Sequence, residues 1–113
     1  GYYAVEEKTT GALIGRVGYT NQPGWPGFEL GWTIIPEYQG RGYATEAATA
    51  CLDFGFRRTA AHLIGSIVRP ANTASCTVAA RVHTTRREFM RKGAPAFLFY
   101  TTRSDWEARS ATR

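Results

Sequence analysis

Two spacings alternate along this chain. Residues 2–7 and 12–19 read as strands, and Lys8-Thr9-Thr10-Gly11 between them is a turn, so the two form a hairpin. Gly15 and Gly18 in the second strand point to a bulge or close packing. Residues 21–27 form a loop with Pro23, Gly24, Pro26 and Gly27; Trp25 within it either covers the core edge or lines a substrate cleft. Residues 28–35 are a strand rich in aromatic and β-branched side chains. Phe28, Leu30, Trp32 and Ile34 share one face, and Glu29, Gly31, Thr33 and Ile35 share the other.

The spacing then changes. Ala44, Ala47, Ala48, Cys51 and Leu52 fall at i, i+3, i+4, i+7 and i+8, which predicts a helix over 43–58. After the connection at 59–62, residues 63–68 are an almost wholly apolar strand. Strand, helix and strand of these lengths make a right-handed parallel crossover. Asn72 is a good N-cap, and Ala74, Val78 and Val82 form the stripe of a second helix. Residues 88–92 are read as a strand, 93–95 as a turn and 96–102 as a strand antiparallel to its predecessor. Ser104 and Glu107 have capping-box spacing and open a last helix.

Composition narrows the classes. With 113 residues the chain holds one domain with a single modest core. Hydrophobic residues at 43% and charged residues at 20% exclude a disordered chain. No apolar run approaches a membrane span. The chain begins at Gly1 rather than Met, so a leader upstream is out of view, and the cytoplasm is the expected location. Cys51 and Cys76 both fall inside predicted helices and are expected as buried free thiols of a reducing compartment. His62 and His83 are isolated from other ligands, so no metal site is expected, and His62 is read as a surface residue. The net charge of +5 suits an anionic partner. Arg81, Arg86, Arg87, Arg91, Lys92, Arg103, Arg109 and Arg113 carry much of it, and a solvated surface is favoured over a nucleic-acid site because no aromatics interleave with them.

The most informative stretch is Ile34-Ile35-Pro36-Glu37-Tyr38-Gln39-Gly40-Arg41-Gly42-Tyr43-Ala44, where the central strand turns into the first helix. Gly40 and Gly42 permit close approach of a ligand. The first amides of a helix have no internal partner and favour negative charge, so a phosphate or diphosphate is the natural occupant. Arg41 adds a positive charge suited to phosphate, and Thr45 adds a hydroxyl. A P-loop would need a Lys after the glycines, and a dinucleotide fingerprint would need Gly at position 45. An ordinary strand-to-helix turn is the plain alternative.

Gln39, Gly42 and Ala44 fit the pattern [QR]-x-x-G-x-[GA], and this loop resembles the acetyl-CoA diphosphate loop of the GNAT acetyltransferases. The run ELGWTIIPEYQGRGYATEA is most similar to the branch that acetylates protein N-termini, ribosomal proteins included. The hairpin, with V-x-x-K-x-[TS]-G-x-L-I-G from Val5 to Gly15, and the ending from Tyr100 to Trp106 resemble the same branch. The resemblance implies an α/β fold: a mixed, mostly antiparallel sheet with a central splayed parallel pair and flanking helices. It implies acetyl-CoA as co-substrate and an amine as acceptor, either a protein N-terminus or a small molecule, with direct transfer and no covalent enzyme intermediate. It also implies that backbone near Thr33, Ile34 and Ile35 pairs with the pantetheine arm, and that the loop from Gln39 through Gly40, Arg41, Gly42, Tyr43 and Ala44 to Thr45 holds the diphosphate.

Three further side chains carry two readings each. Glu29 is a carboxylate in a strand otherwise fit for burial: it is either ion-paired at a partly exposed strand start or, as in the resembled family, the general base. Asn72 and Ser75 match the family's N-x-x-S signature, which implies an Asn that contacts the cofactor arm and a Ser that protonates the departing thiolate; without it they are simply a capped helix. Where the family closes this helix with Gly and an aromatic, the chain has His83 and Thr84, so the path after Val82 is left open. The family fold places a strand and two helices before the hairpin. Nothing here represents them, which implies an N-terminally incomplete domain whose open sheet edge could pair two copies. Two rivals stand beside transfer: an acyl-CoA-binding module without turnover, and a basic nucleic-acid-binding domain.

Overall fold

A computed structural model describes residues 1–21 and 27–111. The strands are β1 (Tyr2–Glu6), β2 (Leu13–Asn21), β3 (Phe28–Ile34), β4 (Leu63–Val68), β5 (Thr85–Arg91) and β6 (Ala94–Thr102). The helices are α1 (Tyr43–Arg58), α2 (Thr73–Val82) and α3 (Arg103–Ala111), with a short 3₁₀ turn at Pro36–Tyr38. The strands form one sheet in the order β1-β2-β3-β4-β6-β5. All neighbours are antiparallel except β3 and β4. This is the mixed α/β fold with a central parallel pair expected from the sequence. Trp25 and the loop around it lie outside the described residues. No helix among those described is long and apolar enough to cross a membrane.

The parallel pair is short. β3 and β4 are in register only at Phe28–Ile64 and Glu29–Gly65, after which the strands diverge. The alternation along β3 is as predicted: Leu30 and Ile34 are buried and Trp32 is packed against the core. Leu30 and Trp32 meet the α1 stripe of Ala48, Cys51, Leu52 and Phe56, together with Ile64 of β4 and Val82 of α2. Burial of these side chains supplies most of the drive to fold. Gly15 is explained by close packing, because a Cβ there would lie 2.1 Å from the Thr33 carbonyl oxygen. The bulge of the hairpin falls between Val5 and Glu6.

Two boundaries differ from the sequence expectation, and a third that the sequence left open is now defined. β5 starts at Thr85 rather than at 88, and the β5–β6 turn is only Lys92-Gly93, both at positive φ. The α2 helix ends without a left-handed cap: His83 is extended and its N–H bonds the Ala79 carbonyl. The last helix is capped by Thr102, whose hydroxyl accepts from Asp105 N, so it starts ahead of Ser104. Trp106 on α3 stacks on Phe56 at 5.2 Å and donates to Asp53, fixing α3 against α1. Of the two thiols, Cys51 is buried and Cys76 only half-buried.

Candidate active site

The divergence of β3 from β4 opens a cavity of about 620 Å³ between β3, the loop into α1, and α2. Thr33 and Ile34 line it from β3; Gln39, Gly40 and Gly42 from the loop; Tyr43, Ala44 and Thr45 from the first turn of α1; Asn72 and Ser75 from α2. Ten of the residues singled out in the sequence are thus brought together. Ile35, Arg41 and Glu29 are not among the lining residues. The Ile35 N–H is already bonded to the Ile14 carbonyl of β2.

The loop is built to leave amides bare. Gly42 is the N-cap of α1 at φ +84°, and no side chain caps this end. The first bond of the helix runs from Glu46 N to the Gly42 carbonyl, so the amides ahead of Glu46 have no partner inside it. Gly40 is also at positive φ. Gln39 turns inward: its Nε2 donates to the Ile34 carbonyl at 2.8 Å and ties the loop to the end of β3.

The splay has a defined backbone lining. The Leu30 carbonyl faces β4 but accepts from the Ser66 hydroxyl at 2.8 Å instead of from backbone. The Ile34 carbonyl accepts from Gln39. Backbone direction alternates along a strand, so Trp32, midway between them, turns its N–H and C=O to the same open side. Sequence reasoning missed Trp32; only the length of the β3–β4 pairing reveals it. It also missed Tyr38, Ala74, Thr77, Val78 and Arg81, which complete the lining. Of the stripe Ala74, Val78 and Val82, Val82 is buried and Val78 packs against the core while also reaching the cavity; Ala79, outside the stripe, is the other buried residue of α2.

Charge is distributed unequally. The Arg41 guanidinium lies 3.7 Å from Glu7, donates to the Glu37 carbonyl at 3.2 Å and sits over the Tyr38 ring. Glu7 accepts from the Tyr43 hydroxyl, which holds the carboxyl below its ordinary pKa and the phenol above its own. Arg81 reaches the cavity from the last turn of α2. Glu29 is held by Arg91 of β5 at 3.1 and 3.3 Å, the ion pair that was one of its two sequence readings. Asn72 Oδ1 accepts from Ser75 N at 3.1 Å, so it is the α2 cap whatever else it does. Burial pushes the Cys51 thiol up to about 11, which leaves it without nucleophilic character.

Comparison with known proteins places this geometry among relatives. Residues 1–85 match the model of the acetyltransferase (GNAT) domain. The chain is 36% identical over 83 residues to YnaD, an uncharacterized N-acetyltransferase of Bacillus subtilis, covering 74% of this chain and 49% of YnaD. It therefore spans about half the length of that relative. The crystal structure of an acetyltransferase from Agrobacterium tumefaciens superposes with a TM-score of 0.78 at 33% identity, over 88% of this chain and 59% of the other. The ribosomal-protein-S5-alanine acetyltransferase of Vibrio fischeri superposes with a TM-score of 0.79 over 93% of this chain and 62% of the other; at 24% identity it shows the shared fold alone.

Proposed function

Because the chain belongs to the GNAT acetyltransferase family, we propose that it binds acetyl-CoA in the splay and passes the acetyl group directly to an amine, a protein N-terminus or a small molecule. The observation that carries this reading is the uncapped start of α1 facing a cavity opened by the divergence of β3 and β4. The first amides of α1, with Gly40 and Gly42 beside them, would hold the diphosphate, and Thr45 would add its hydroxyl. Trp32 and Ile34 offer backbone on the open side of β3, where an extended pantetheine arm would pair as an added strand. Asn72 and Ser75 stand on the opposite wall.

Acetyl-CoA supplies an activated thioester. The chain contributes position and charge: backbone donors oriented before the reaction, and Ser75 as the group that returns a proton to the sulfur. For Glu29, the bond to Arg91 supports a structural role, and the attacking amine then gives its proton to water. No cysteine is needed as nucleophile. The two free thiols fit a reducing compartment, and the cytoplasm is the proposed location.

β1 is an edge strand, and its outer side carries no partner among the described residues. Self-association through this edge is part of the proposal, and gel filtration over a concentration series reads it. The central test is calorimetric titration with acetyl-CoA followed by thiol release over a panel of N-terminal peptides and polyamines. Binding with turnover of at least one amine supports transfer. Binding without turnover identifies an acyl-CoA-binding module. Nucleic-acid binding that is steeply salt-dependent and is not competed by CoA removes the proposal.

A further inference from the structure

Glu7 is 93% buried beside the cavity, yet nothing in the transfer chemistry calls for a carboxylate there. Its backbone is locked in the β1–β2 turn: the N–H bonds the Ala12 carbonyl at 2.9 Å, and its carbonyl accepts from Gly11 at 2.8 Å. Oε1 accepts from Thr10 at 2.7 Å. That leaves Oε2, which reaches out of the hairpin to two neighbouring residues of the phosphate loop. It accepts from the hydroxyl of Tyr43, the first residue of α1, and lies 3.7 Å from Arg41. One rigid carboxylate therefore fixes the side chains on both sides of Gly42. It holds Arg41 against Glu37 and Tyr38, outside the cavity lining, while Tyr43 and its backbone stay within it.

We propose that Glu7 is a positioning residue for the diphosphate site: it pins the first turn of α1 through Tyr43 and keeps Arg41 aside, so that main-chain amides, not the Arg41 guanidinium, receive the anion. The inference rests on the acetyl-CoA reading above. The physical reason is order. A helix start with left-handed Gly42 as its cap has no side-chain cap to hold it, and the Tyr43–Glu7 bond is a charge-assisted substitute anchored in the β1–β2 turn.

The test measures acetyl-CoA affinity by calorimetry and thermal unfolding together, for the wild-type chain, Glu7→Gln, Tyr43→Phe, the double variant, Arg41→Gln and Thr10→Ala. Loss of a hydrogen bond to a charged group predicts binding weakened about tenfold in Glu7→Gln and in Tyr43→Phe. The double variant should be no more than about twofold weaker than either, because both changes break one link. Arg41→Gln should weaken binding by less than about threefold, as suits an exposed charge. Thr10→Ala removes only the Oε1 bond that steadies the carboxylate, so it should weaken binding less than Glu7→Gln does while still lowering the unfolding temperature, which separates loop position from general stability. If Glu7 instead competes with the anion for Arg41, Glu7→Gln tightens binding and Arg41→Gln weakens it strongly; that result overturns the proposal. Wild-type affinity in both Glu7→Gln and Tyr43→Phe also overturns it and leaves the acetyl-CoA reading standing. A wild-type chain that does not bind acetyl-CoA removes both.

Discussion

His83 Nε2 lies 2.8 Å from Ser66 Oγ, in the buried layer between α2 and the sheet. The Ser66 hydroxyl donates its one proton to the Leu30 carbonyl, so the imidazole must be the donor to Ser66. Nδ1 is then bare and accepts from Thr101 at 2.9 Å. The neutral Nε2–H tautomer satisfies every group in this chain of bonds. The network joins β3, β4, α2 and β6 at the level where β3 and β4 part. It replaces the ladder bond that Leu30 loses there.

A second proton on His83 would turn the Thr101 hydroxyl from donor to acceptor and leave an uncompensated charge in a dry site. Burial first, and the charge of Arg109 second, hold the imidazole down to about 3 against an ordinary 6.5. The unfolded chain therefore takes its proton first as pH falls. The contribution of this site to stability is complete above about pH 6.5 and is lost on descent toward 3, by about 1.4 kcal/mol per pH unit within that window. Denaturant midpoints measured from pH 7 to pH 4 should fall steeply in the wild-type chain. They should fall less in His83→Gln, which cannot take up the proton. Equal slopes in the two would mean that His83 is not the acid-sensitive group.

Periodicity made the element order legible, because each helix stripe and each strand face is a local pattern. The α1 bounds and the β4 bounds follow directly from it. The amide loop was legible for the same reason: Gln39, Gly40 and Gly42 fall within four consecutive residues and their backbone chemistry is local. What the sequence hid is long-range pairing. Glu7 meets Tyr43 across 36 positions, and His83 meets Ser66 across 17. Neither spacing leaves a trace in composition. His83 looked solitary because its partners are hydroxyls, which have no sequence signature. Arg41 reads as a phosphate ligand from its local setting, and the carboxylate 3.7 Å from it sits on another element, where no local pattern shows it.

Gly42 separates conformation from charge at the loop. No atom lies within 4 Å of a Cβ added there, so Ala meets only the cost of φ +84°, about 1–2 kcal/mol. Gly42→Ala should lower the unfolding temperature and weaken acetyl-CoA binding modestly. Gly42→Glu adds like charge where the diphosphate would sit and should abolish measurable binding, about 100-fold or more. The comparison is made by calorimetry with CoA and acetyl-CoA. Glu tolerated as well as Ala would show that the anion is held elsewhere.

Glu29 and Arg91 join β3 to the edge strand β5 across the two strands between them. Both are partly shielded, at 18% and 30% side-chain exposure, so the pair is worth on the order of 1 kcal/mol. Glu29→Gln should lose about that much stability while keeping kcat within about threefold, once an acceptor amine is in hand. A general base behaves otherwise: its loss lowers kcat about 100-fold or more and removes the acid limb of the pH–rate profile. Steady-state kinetics from pH 6 to pH 9 on both forms decide between them.

Arg81 is the remaining cation at the cavity. It lies six residues beyond Ser75, about 9 Å along α2, so the two stand toward opposite ends of one wall. Coenzyme A carries a ribose phosphate besides its diphosphate, and the amides at the start of α1 serve only one such group. Arg41 is engaged by Glu7 and Glu37, whereas Arg81 makes no ion pair among the described residues. The ribose phosphate is then the group that Arg81 should meet. Arg81→Gln should weaken acetyl-CoA about fivefold to tenfold and reduce the salt dependence of binding. It should leave acetyl-dephospho-CoA, which lacks that phosphate, unaffected. If the variant weakens both ligands equally, Arg81 acts on the diphosphate; if it weakens neither, the cation is a solvated surface charge.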